Sequence, residues 1–156
     1  MKYEKGFSLL ELIIVVGILA ILASLTTMLG VGYFRSASLD QGAGEIILQL
    51  RKAQAKAMSG ENGLRWGIHF VNPVSGTHYY QLFSTASDFS AGQIQEMIYL
   101  DERVNFSQPS SGNTLDVVFL KNTGKVAADV SVAVFLTSDT ANIRTITVSR
   151  EGRISE

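Results

Sequence analysis

The chain has 156 residues, which bounds it to one domain, or one domain with an appendage. Its formal net charge is −1, and with Lys2, Lys5, Glu4 and Glu11 set aside, 11 Lys and Arg face 12 Asp and Glu from Val31 onward, so no basic excess marks a general nucleic-acid or anionic-membrane surface. Cysteine is absent, which excludes disulfides and thiolate-ligated metals while leaving the compartment open.

The first element is the stretch KGFSLLELIIVVGILAILASL. Over residues 7–34 the only ionisable side chain besides Tyr33 is Glu11. As a helix these 28 residues would extend about 42 Å, more than the roughly 30 Å hydrocarbon core needs. Lys2 and Lys5 precede the run and the next basic residue is Arg35, which by the positive-inside rule favours a cytoplasmic N-terminus. A cleaved secretory signal has a shorter apolar region, 7–15 residues in general, and a small-residue cleavage site behind it. A plain anchor explains the length and leaves the acid unexplained, because a carboxylate at such depth costs roughly 2.5–3.5 kcal/mol on insertion scales.

The order of residues offers a third reading. A basic leader, Gly6, Phe7, Ser8, two leucines, Glu11 and a long aliphatic run together resemble the class III signal of type IV pilins and type II secretion pseudopilins. The resemblance implies a prepilin peptidase that cuts between Gly6 and Phe7 on the cytoplasmic side and N-methylates Phe7. Glu11 is then the fifth residue of the mature chain. The new ammonium at Phe7 and the carboxylate of Glu11 are attracted strongly in low dielectric. In this family the acid is proposed to pair with the N-terminus of a neighbouring subunit, and that assembly role carries over to Glu11 and Phe7. One departure is that the helix-kinking proline common in major pilins is missing from LTTMLGVGY, where Gly30 and Gly32 loosen a helix without removing a backbone donor.

Tyr33 and Phe34 are placed to sit at a membrane interface. After them, Leu39, Ala43, Ile46, Leu50, Ala53 and Ala57 recur at alternating spacings of four and three, one apolar stripe with Asp40, Gln49, Arg51, Lys52 and Lys56 largely off it. Gly60, followed by ENG, supplies the stop, so one helix is expected over 7–59. Beyond Gly63 come the runs LRWGIHFV, THYYQLFST, EMIYLDERVNFS, TLDVVFL, DVSVAVFLTS and NIRTITVSREGRIS, separated by turn-forming stretches. Ile146 and Val148 alternate with Thr145 and Thr147, and SREGRIS predicts a tight hairpin centred on Glu151 and Gly152.

The expected fold is α+β: a long N-terminal helix, membrane-spanning in its first half, packed on a mostly antiparallel β-sheet or β-sandwich of six or seven strands. The expected organisation is a leader over 1–6, a transmembrane helix over 7–30, an amphipathic continuation over 31–60 and a β-rich periplasmic domain over 61–156. Taken whole, with its terminal RTITVSREGRIS, the chain resembles the GspH/FimT group of minor pseudopilins and minor pilins. The implied function is a filament subunit of a type II secretion system, held in the inner membrane beside other major and minor pseudopilins. The alternative is a type IV minor pilin in pilus priming or DNA uptake.

Chemistry is weakly signalled. His69 and His78 fall on different strands without a metal-like spacing, and no nucleophile elbow, phosphate-binding glycine loop or zincin motif occurs. Gly42 and Gly44 lack the dinucleotide fingerprint around them, and Asp101, Glu102 and Asp139 lack calcium-loop spacing. No catalytic residue, metal or cofactor is therefore expected, although a membrane-anchored periplasmic enzyme stays open as a third reading. In the resembled group some members take up DNA through basic residues near the C-terminus, and Arg144, Arg150 and Arg153 are the candidates here. Glu151 and Glu156 among them favour a mixed-charge surface instead, since affinity scales with the phosphates neutralised.

Overall fold

A computed structural model describes residues 8–156, with the side chains of 24–36 outside the description. The chain divides into two compact units, Met1–Ser36 and Ala37–Glu156. Helix α1 runs Leu9–Met58. Eight strands follow: β1 (Arg65–Asn72), β2 (Tyr79–Thr85), β3 (Gln93–Tyr99), β4 (Val104–Gln108), β5 (Asn113–Phe119), β6 (Val130–Leu136), β7 (Asp139–Val148) and β8 (Ile154–Ser155).

Within the second unit, the six stripe residues of α1 are all buried, as the 3.6-residue period requires. Gln49 departs from its expected place: it too is buried, and its Oε1 has no hydrogen-bond partner among the described residues. The helix ends where expected, at Gly60 in the left-handed conformation. Its last carbonyls are satisfied from outside the helix as well, because Asn122 N–H donates to the Ala57 carbonyl at 2.8 Å.

The strands form two four-stranded antiparallel sheets, ordered β3-β2-β1-β5 and β4-β6-β7-β8. Alternation sends Trp66, Ile68 and Phe70 of the first sheet and Val132, Val134, Ile146 and Val148 of the second into one core with the helix stripe. The run EMIYLDERVNFS, expected as one strand, is two strands in different sheets. Asp101 turns the chain between them: its carboxylate accepts from Arg103 N–H and its carbonyl from Val104 N–H. An aspartate that bonds the backbone two residues on makes a turn without glycine or proline.

The outer face of the first sheet carries a smaller cluster that has no counterpart in the sequence pattern. Residues 86–92, a long polar connection by composition, fold back on the sheet. Phe89 stacks flat on His69 with ring centroids 3.6 Å apart and meets Phe83 edge-on at 5.0 Å. Phe83 lies over Gly67 of central strand β1, where a Cβ would meet Val117 O at 2.5 Å and the Phe83 ring at 3.0 Å. Gly67→Ala should therefore destabilise the domain by about 1–3 kcal/mol through overpacking against a carbonyl that the sheet holds in place. Urea unfolding followed by the fluorescence of Trp66 measures it, since this is the sole tryptophan and is 2% exposed. A change under about 0.5 kcal/mol, the range of an ordinary surface substitution, would refute it.

Candidate functional site

The N-terminal unit starts its helix by a local device. Ser8 precedes the first helical residue, its Oγ accepts from Leu10 N–H at 3.3 Å, and its carbonyl accepts from Leu12 N–H at 3.1 Å. Ser8 is thus the N-cap and Glu11 lies in the first turn, the S-x-x-E arrangement of a capping box. Sequence reading missed this, although the four-residue pattern was there to find. An acid in the first turn also lies at the positive end of the helix dipole.

From residue 8 to residue 23 every described side chain is exposed, and the large apolar ones range from 47% at Val15 to 76% at Leu9. The second half of α1 buries its apolar stripe, whereas the apolar side chains described over 8–23 are exposed. A contiguous apolar surface of this extent marks a membrane or protein contact. Among the described residues no helix is long and apolar enough to cross a membrane. The expected span over 7–30 includes Phe7, outside the described residues, and the undescribed side chains from 24 on. The described part, 8–23, is sixteen residues against about 20 for a crossing. Gly6 and Phe7, the expected processing site, likewise lie outside the described residues.

The C-terminal arginines separate. Arg144, on β7, is drawn to the helix and the chain end: it reaches Asp40 Oδ1 at 3.0 Å and Glu156 Oε1 at 3.2 Å, and donates to Asn142 Oδ1. Arg150 and Arg153 share the expected turn between β7 and β8, both exposed, where Gly152 N–H donates to the Ser149 carbonyl at 2.7 Å. Glu151 in the same turn pairs with Lys125, and the Asp129 carboxylate accepts from Arg150 N–H. The structure therefore brings two of the three arginines together, amid carboxylates.

Behind that turn stands Gln54, which the sequence reading passed over. Its Nε2 donates to the Gly152 carbonyl at 2.6 Å and the Gly124 carbonyl at 3.0 Å, tying α1 to the two turns that flank β6 and β7. The terminal Ser-Arg-Glu-Gly-Arg sequence is held by this bond, and only the partners' distances in sequence, 70 and 98 residues, concealed it.

The histidines have separate surroundings. His69 Nδ1 is 2.5 Å from Asp116 Oδ1 under the Phe89 ring. His78 packs edge-on against Phe106, its Nδ1 without a partner among the described residues, and burial lowers its pKa below 6.5. In the unfolded chain His78 takes up a proton below about 6.5 while the folded form resists it, so stability is full above that pH and falls as pH drops toward the folded value. Asp101 behaves in the same sense at lower pH: hydrogen bonds from the Arg103 side chain and backbone hold it at about 2, so its contribution is lost between about 3.8 and 2. His78→Asn should flatten thermal stability against pH below about 6.5, as melting curves of both proteins would record. An unchanged slope would contradict it. Asp139 caps its own turn by accepting from Ala141 N–H, and among the described residues no group of three His, Cys, Asp or Glu is placed to hold a metal.

Residues 1–27 match the model of the prokaryotic N-terminal methylation motif. No curated protein and no solved structure matches the chain. The motif supports a type IV pilin-like or pseudopilin subunit, and it implies processing by prepilin peptidase and assembly with other pilins.

Proposed function

We propose that this chain is a minor pseudopilin of a type II secretion system: a non-catalytic filament subunit, processed between Gly6 and Phe7, held in the inner membrane with its N-terminus cytoplasmic and its β-domain periplasmic. The observation that carries the reading is the junction of a methylation motif with a helix whose large apolar side chains over 9–22 are exposed. Such a helix needs lipid before assembly and other helices after it. The GspH/FimT assignment draws its support from the terminal strand and Gly-Arg turn.

Mass spectrometry of the mature chain tests it. Expressed with a prepilin peptidase, the protein should begin at Phe7 and carry one added methyl group. Without the peptidase, residues 1–6 should remain. An intact leader in the presence of the active peptidase would overturn the reading. The alternative, a DNA-uptake minor pilin, has in its favour the exposed pair Arg150 and Arg153. It requires a gel shift that weakens steeply with salt and is lost when both arginines are replaced.

A further inference from the structure

The second unit contains a small cavity whose chemistry none of the foregoing uses. It lies between the helix face formed by Ser38, Gln41, Gly42 and Glu45 on one side and Tyr80 of β2 with Tyr99, Leu100 and Asp101 at the end of β3 on the other, with a volume of about 40 Å³. The helix residues follow the i, i+3, i+4, i+7 spacing of one face, so the wall is a continuous surface of α1. Tyr80 lines this cavity. Its side chain is 1% exposed, yet its hydroxyl has no hydrogen-bond partner among the described residues. A buried hydroxyl left unpaired costs about 1–3 kcal/mol, so such a group in a lined cavity points to an occupant.

The occupant's charge follows from the acids around it. Asp101 is paired with Arg103, and Glu96 near Tyr80 with Lys52, whereas Glu45 has no cation partner among the described residues. Burial first, then the charges of Glu45 and Glu96, push the Tyr80 phenol well above its usual pKa, so it stays neutral and can accept a hydrogen bond. The polar groups that line the cavity include the carboxylate of Glu45, exposed on the helix, the Tyr80 phenol and the side chain of Gln41. A metal ion fits this set poorly, because no three metal-ligating groups converge among the described residues. An ammonium group fits it: a single compact cation with three N–H donors for separate oxygens, on an alkyl stem that can lie along the exposed Tyr99 ring at the rim.

We propose that this cavity binds the ammonium group of a lysine presented by a neighbouring subunit, with Glu45 as its counter-ion and the Tyr80 hydroxyl as a hydrogen-bond acceptor. The neighbouring-subunit source rests on the filament reading above, while ammonium binding itself does not. Full-length protein in detergent micelles is titrated with n-butylammonium chloride, the head of a lysine side chain, against sodium chloride at equal ionic strength. The thermal midpoint should rise with n-butylammonium. Glu45→Gln and Tyr80→Phe should each weaken that response about tenfold or more, the loss expected for a hydrogen bond to a charged group. Without ligand, Tyr80→Phe should unfold no lower than wild type, since it removes a hydroxyl with no partner, and this separates a binding role from a structural one.

Stabilisation by calcium chloride and not by n-butylammonium would overturn the proposal in favour of a metal site. No response to either would leave the cavity to water and overturn it equally. In cells assembling the filament, zero-length carbodiimide coupling should join Glu45 to a lysine of another chain, and links confined to this chain's own lysines would refute the partner. The mass of the mature N-terminus reports on the filament reading separately, so the two failures are distinguishable.

Discussion

Gly152→Ala is expected to destabilise the globular domain by about 3 kcal/mol, a large share of the 5–15 kcal/mol that holds a typical domain folded. Gly152 has φ +86°, where an alanine side chain adds about 1–2 kcal/mol of backbone strain. Its Cβ would stand 2.3 Å from the Gly124 carbonyl oxygen and 2.7 Å from Gln54 Nε2. The turn must move, and it then loses the bond from Gln54 to its own carbonyl, worth about 0.5–1.5 kcal/mol. Displacing Gly124 threatens the second bond of the same amide. Urea unfolding followed by Trp66 fluorescence gives the number. Gln54→Ala should cost about 1–3 kcal/mol by removing both hydrogen bonds, and the double variant should fall short of the sum because the two residues share a contact. Gly152→Ala within 0.5 kcal/mol of wild type, on the scale of a surface change, would show that the turn is not pinned as described.

Glu11→Gln is expected to leave processing intact and to reduce incorporation beside partner subunits by about a hundredfold or more. Two roles for the charge compete, and their magnitudes separate them. As a first-turn acid, Glu11 stabilises its own helix through the dipole by about 0.3–1 kcal/mol, at most a factor of about five. As half of an ion pair with a neighbour's N-terminal ammonium inside lipid, its removal strands a buried charge at a cost of about 3–5 kcal/mol. The amount recovered in the assembled fraction, compared by quantitative immunoblotting, decides between them. The domain over 37–156 should unfold at the same urea concentration in both proteins, since residue 11 lies in the other compact unit. A loss of fivefold or less would reduce Glu11 to a helix-start residue.

The parts of the fold legible in advance are those set by local periodicity. The stripe from Leu39 to Ala57 is buried residue for residue because an α-helix turns neighbours four and three apart to one side whatever it packs on. Gly60 ends the helix because the left-handed conformation there favours a residue without a side chain. The burial of Ile146 and Val148 follows from strand alternation in the same way.

What stayed hidden depends on contacts between distant segments. EMIYLDERVNFS reads as one strand because Asp101 turns the chain with its own carboxylate, leaving no glycine or proline to mark the break. Phe89 and His69 are a loop residue and a strand residue until the chain folds them face to face. Arg144 looks like a phosphate contact in sequence, and the tertiary structure engages it with Asp40, 104 residues away. The N-terminal site divides similarly: the order of Gly6, Phe7, Ser8 and Glu11 is a linear signal, while the exposure of the apolar side chains over 9–22 is a property of the folded chain.

The sequence by itself determined the methylation motif, the apolar run with its one acid, and the buried face of the helix, since each is written in residues within a turn or two of one another. Only the tertiary structure decided that the strands split into two sheets, that Gln54 holds the terminal turn, and that Tyr80, whose hydroxyl has no partner among the described residues, lines a cavity together with Glu45. Those features join residues tens of positions apart, and hydrogen-bond geometry and packing, which no local pattern encodes, select the partners.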